Sequence, residues 1–214
     1  VLLETGAAMV YGQSYLIGQN GQVIKEPKVS GERQERNLAW LLKKWPSGYQ
    51  TAFRKSVLTD ILEQQYTDYP GFDYHDALFG MLAPLYGKVV CLDQLLDQHR
   101  IHQANVTQSA SSLSFNKTRL SRINYLQKVI SRYESVQKIA EERQISEADH
   151  RQVTRALALT NLRLKLLQSR NPFWALGLMF QIREYRTIKD FISDLVYTYS
   201  LNGLARRLLK KFGR

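Results

Sequence analysis

In residues 1–110 the apolar positions never keep one period for long. "AMVYGQSYLIG" followed by "QNGQVIK" (8–25) reads as a β-hairpin, because Asn20-Gly21 tolerates the positive φ of a tight turn. "GERQERNLAWLLKKW" (31–45) reads as a helix with Leu38, Leu41, Leu42 and Trp45 on one side, stopped by Pro46-Ser47-Gly48. "YQTAF" is a short strand and "RKSVLTDILEQQY" (54–66) returns to helix. A helix opening at His75-Asp76, a "KVVCLD" strand and an extended "LLDQHRIHQANVT" complete the half. Strands alternating with helices predict an α/β layer structure.

After a Ser-rich link, "TQSASSLS" (107–114), the period settles at three to four. Leu120, Ile123, Leu126, Ile130, Tyr133, Val136 and Ile139 mark one amphipathic helix. "SEAD" (146–149) has capping-box spacing and opens a second, carrying Val153, Leu157, Leu164 and Leu167. Asn171-Pro172 is a cap followed by proline at the first helical position. The reading is therefore two regions: an α/β part over 1–112 and an all-helical extension over 113–214.

Composition narrows the classes. An apolar fraction of 44% with 11% aromatics suffices for a packed core and argues against disorder. Thirty Lys and Arg against 19 Asp and Glu leave a net charge of +11, which calls for an acidic partner without choosing one. A single cysteine, Cys91, excludes an intrachain disulfide and favours a reducing compartment. No apolar stretch approaches the ~20 residues of a membrane-spanning helix. The chain opens in mid-element without Met, so a piece of a longer protein is expected.

Three groups of residues have the types that carry chemistry. The first is Asp73, His75 and Asp76. Asp73 has the position of a helix cap and Asp76 complements the dipole; Asp76 equally suits a general base at a pocket rim, where a helix start favours its negative charge. The second is Arg100, His102 and Asn105 in "RIHQAN". On a strand Arg100 and His102 share a face, and a guanidinium beside an imidazole suits a diphosphate and its metal ion; a polar edge strand would look the same. The third is "SGYQTAFRK" (47–55), where glycine permits close backbone approach to a ligand or simply marks entry into a strand.

The order of these pieces resembles the acceptor-side half of glycosyltransferase family 2, the inverting GT-A type, especially its bacterial rhamnosyltransferase-like members. Those carry a Gly-led "AFR" strand, an "HD" helix start, an "FGKV.YLD.PL" strand and an "R.H..N" segment in that sequence. The likeness spans roughly residues 1–107. It implies a partial GT-A domain followed by a helical extension, with Asp76 as the base that deprotonates an acceptor sugar hydroxyl. It further implies that Gly48, Tyr49, Gln50, Thr51 and His75 line the substrate pocket, that Arg100 binds phosphate and that His102 helps hold a divalent metal, Mg or Mn. The remaining metal ligands, an Asp-x-Asp, occur nowhere in this chain and are expected upstream. Ala77 and Leu78 follow the HD pair where many relatives have bulky aromatics.

The implied partners are a nucleotide-sugar donor and a glycan or lipid-linked acceptor, in bacterial surface polysaccharide or glycoprotein glycan synthesis. A cytoplasmic location follows, at the inner face of the cell membrane. There "LNGLARRLLKKFGR" (201–214) has leucines on one face and Arg206, Arg207, Lys210 and Lys211 largely on the other, the pattern of a helix on an anionic membrane and equally of a terminal helix packed on its neighbours by those leucines. The alternative class is a basic helical binding module for nucleic acid or a protein partner. No nucleic-acid motif is present, and nucleic acid is not expected as a ligand. A metal-dependent hydrolase using His75, Asp76 and His102 lacks HxH or HExxH spacing.

Overall fold

A computed structural model describes residues 1–102 and 118–199. Asn105 and the basic segment 201–214 lie outside the described residues. The described chain is mixed α/β: a five-stranded sheet with helices against it and a helical C-terminal part. Strands β1 (Met9–Ile17), β2 (Val23–Lys25), β3 (Arg33–Arg36), β4 (Thr51–Phe53) and β5 (Val89–Arg100) form the sheet in the order β2-β1-β5-β3, with β4 also on β1. β1 and β5 run parallel, so the chain between them has to cross over. The crossover supplies α2 (Leu38–Lys43), β4, α3 (Lys55–Glu63) and α4 (His75–Leu82), after a short α1 (Leu2–Thr5) at the start.

The expected hairpin is β1–β2, turning at Gly21 with φ 84°. The expected helix over 31–45 is corrected: residues 33–36 are strand β3, antiparallel to β5, and only Leu38–Lys43 is helical. The divide falls at Asn37, whose Oδ1 accepts from the Trp40 N–H at 3.0 Å and caps α2. "ERQER" has no apolar residue to place on a helix face, whereas its alternating exposure suits a strand.

In the C-terminal part the capping signals hold. Thr118 caps α5 (Arg119–Glu142), Ser146 caps α6 (Glu147–Ser169), and Asn171 caps α7 (Pro172–Phe180) ahead of its first-turn proline. Helix α8 (Ile188–Tyr199) follows. The stripe on α5 buries Leu126, Val136 and Ile139 completely, while Leu120 is exposed. These helices do not stand apart from the α/β part: Val129, Tyr133, Val136, Ile139 and Val153 share one buried cluster with Leu38, Leu42, Val57, Ile61, Leu78 and Met81 of α2, α3 and α4. Core formation thus joins the two regions.

The seam between them holds the loop before α4. Ser135 Oγ donates to Pro70 O and Arg132 Nε to Gly71 O, each at 2.8 Å, and Lys128 Nζ pairs with Asp73 at 2.8 Å. The expected cap role of Asp73 is corrected by that pairing: Tyr74 holds the N-cap position and makes no side-chain cap bond. Gly71 sits at φ 93°, and a Cβ there would lie 2.5 Å from the Arg132 backbone nitrogen. Gly71→Ala should therefore cost roughly 2–4 kcal/mol, adding backbone strain to displacement of α5. Urea denaturation checks it; a loss under about 0.5 kcal/mol would mean the seam yields freely.

Candidate functional site

The site begins with a turn. Ser47 opens a 3₁₀ turn at Gly48–Gln50: the Ser47 N–H donates to Gln50 Oε1 at 3.3 Å, completing a reciprocal cap. Thr51 Oγ1 returns to Gly48 O at 2.8 Å, and Gln50 Nε2 donates to Ser14 Oγ on β1 at 3.0 Å. These bonds lock the segment onto the sheet. On its other side Gly48 meets the start of α4. A Cβ at Gly48 would come within 2.8 Å of His75 Nε2 and 3.5 Å of Asp76 Cβ. Glycine here is a matter of space.

Helix α4 presents the His75-Asp76 pair in its first turn, with His75 exposed and Asp76 half-buried. The following Ala77, Leu78, Met81 and Leu82 are buried and fix the helix. Gly80 allows Trp45 to pack against it, a Cβ there falling 3.0 Å from Trp45 Cβ, and Arg132 lies 4.9 Å over the Trp45 ring. Asp76 Oδ1 accepts from the Ala77 N–H at 2.8 Å, leaving Oδ2 as a further acceptor.

Tyr49 closes the group. Its ring stacks on His99 of β5 with centroids 4.0 Å apart and planes 5° from parallel. Partial burial, with the negative Asp97 adding to it, raises the Tyr49 pKa, against a hydrogen bond to Ser47 that lowers it. Strand alternation puts Asp97 and His99 on one face of β5 and Arg100 on the other. The Arg100 guanidinium reaches the hairpin turn, donating to Gly18 O at 3.3 Å and Gln19 O at 2.7 Å. His102 is exposed two residues past the strand.

Five of the expected residues, Gly48, Tyr49, Gln50, His75 and Asp76, are thus gathered around one turn, with Thr51 buttressing it. The end of β5 joins this group through His99. His99, Asp97 and Ser14 were missed by sequence reasoning; the hydropathy of "LDQLLDQHR" (92–100) does not alternate, and only the exposure of the folded strand does. Among the described residues no cluster of three or more His, Cys, Asp or Glu side chains could hold a metal ion. His102 alone does not make such a site. The gathered residues offer a carboxylate, an imidazole and an aromatic face at an open rim, a set suited to orienting a polar ligand and accepting a proton. No protein-family model, curated protein or solved structure matches the chain.

Proposed function

We propose that this chain is the acceptor-side part of an inverting GT-A glycosyltransferase of family 2 type. The observation that carries the reading is the contact of Gly48 with His75 and Asp76, which puts two separate motifs of the resemblance at one rim. The acceptor's hydroxyl gives its proton to the Asp76 carboxylate as its oxygen attacks the anomeric carbon of the donor sugar. The bond to the diphosphate breaks on the opposite side, and a nucleoside diphosphate departs. Tyr49, Gln50 and His75 orient the substrates, and the resemblance assigns the diphosphate and its metal to Arg100 and His102. A divalent Mg or Mn ion would be held by the Asp-x-Asp ligands that the resemblance expects upstream, and would neutralise the leaving group when bound.

The acceptor is a glycan or lipid-linked saccharide, and the place of work is the cytoplasmic face of the membrane. Among the described residues no helix is long and apolar enough to cross a membrane; contact there is assigned to the basic segment 201–214. The test is transfer by the longer protein the resemblance implies. Supplied with a panel of nucleotide sugars, saccharide acceptors and Mg or Mn, it should release nucleoside diphosphate and form a glycosidic bond of inverted anomeric configuration by NMR. A product that retains configuration, or no acceptor-dependent release across the panel, counts against the reading.

A further inference from the structure

On the other side of the turn that carries Gly48, a cavity of about 400 Å³ opens between β1, α2 and the segment ahead of α8. That volume lies within the range of small-molecule sites, about 300–1,000 Å³. Three cations from separate elements line it: Arg36 at the end of β3, Lys44 just past α2, and Arg186 from the helical part. No Asp or Glu is among its lining residues. Burial, with the Arg186 and Arg36 charges adding to it, lowers the Lys44 pKa.

The Trp40 ring takes Arg36 at 4.7 Å and Lys44 at 5.7 Å from its centroid, which orients both cations without neutralising them. The Tyr11 hydroxyl, in a residue only 5% exposed, lies against the Arg36 guanidinium and Cys91 in the cavity wall. The remaining polar lining includes Gln13 of β1 and Ser47 and Gln50, from the same turn that carries Gly48.

We propose that this cavity binds the phosphoryl or diphosphate group of a small organic ligand, clamped by Arg36, Lys44 and Arg186 and covered by Trp40. Three converging cations call for more negative charge than one carboxylate carries, and a guanidinium fork pairs with two phosphate oxygens at once. Tyr11 supplies a neutral donor, and the volume leaves room for the group that the phosphate is attached to. Because Arg186 belongs to the helical part, the ligand would tie that part to the sheet. The inference stands on this cavity alone and does not rest on the transferase reading.

Titration of the 214-residue chain with inorganic pyrophosphate, followed by tryptophan fluorescence and calorimetry, tests it. Saturable binding is expected, with Arg186→Gln and Lys44→Gln each weakening it about tenfold or more, as for loss of a charged hydrogen bond. Arg186 is exposed, so its variant should keep the wild-type thermal melt. Arg170→Gln, an exposed cation outside the cavity, should bind like wild type. Vesicles containing phosphatidic acid separate the sources: competition with pyrophosphate assigns a lipid headgroup, and its absence a soluble phosphorylated molecule. The proposal is overturned by no saturable binding, by equal loss in Arg170→Gln and Arg186→Gln, or by citrate binding as tightly as pyrophosphate.

Discussion

Asp194→Ala is expected to lower the unfolding free energy by about 3–5 kcal/mol, the range for stripping one partner from a buried charge group. Asp194 on α8 is fully buried, between Arg122 of α5 and Arg163 of α6. Arg122 Nε donates to Oδ1 at 2.9 Å, Arg163 Nε to Oδ2 at 2.6 Å, and the Tyr185 hydroxyl to Oδ2 at 3.1 Å. The two arginine side chains are only 16% and 14% exposed, so removal of the carboxylate leaves both charges in a poor solvent. Burial works against the Arg163 charge, and the Asp194 carboxylate more than offsets it, holding the Arg163 pKa above its ordinary value. Urea denaturation should show a lower midpoint with an unchanged slope. A loss below about 1 kcal/mol would mean that the arginines reach water and the three helices are not tied at this point.

That group shows where sequence reading ends. In "FISDLVYTYS" the aspartate looks like the polar side of an amphipathic helix; its partners arrive from helices about 30 and 70 positions earlier, a meeting that no local period encodes. Signals that act within one turn were readable where a cap stood clear of other pattern: Ser146 and Asn171 cap helices through bonds to N–H groups two or three residues on, whereas the Asn37 cap was read as helix interior. The hairpin at Gly21 was readable for the same reason. Strand β3 was not, because charged residues on a pleated edge leave no hydrophobic pattern and only pairing with β5 makes them a strand.

The candidate site divides similarly. His75-Asp76 at a helix start and the Gly48 turn were legible as motifs, but their contact depends on a crossover of the chain between parallel strands. His99 was hidden beside Arg100, which drew attention through its charge. Asp73 looked like a cap on spacing alone, until Lys128 of α5 claimed it.

Loss of turnover by Asp76→Asn is the largest effect expected. Asparagine keeps the size of the side chain and an oxygen that can still accept from the Ala77 N–H, so α4 and the surrounding core should be undisturbed. What it lacks is the basic oxygen that, on the proposed reading, takes the acceptor's proton. In the longer protein that reading implies, the rate of nucleoside-diphosphate release coupled to glycosyl transfer should fall by about 10²–10⁴-fold. The KM for the donor should change little, since a base acts in the transition state rather than in donor binding. The deciding measurement is that acceptor-dependent turnover number for wild type and Asp76→Asn, side by side, with matching thermal melts. A drop of a hundredfold or more in the folded variant is the outcome that base catalysis at Asp76 predicts; turnover within a few-fold of wild type contradicts it.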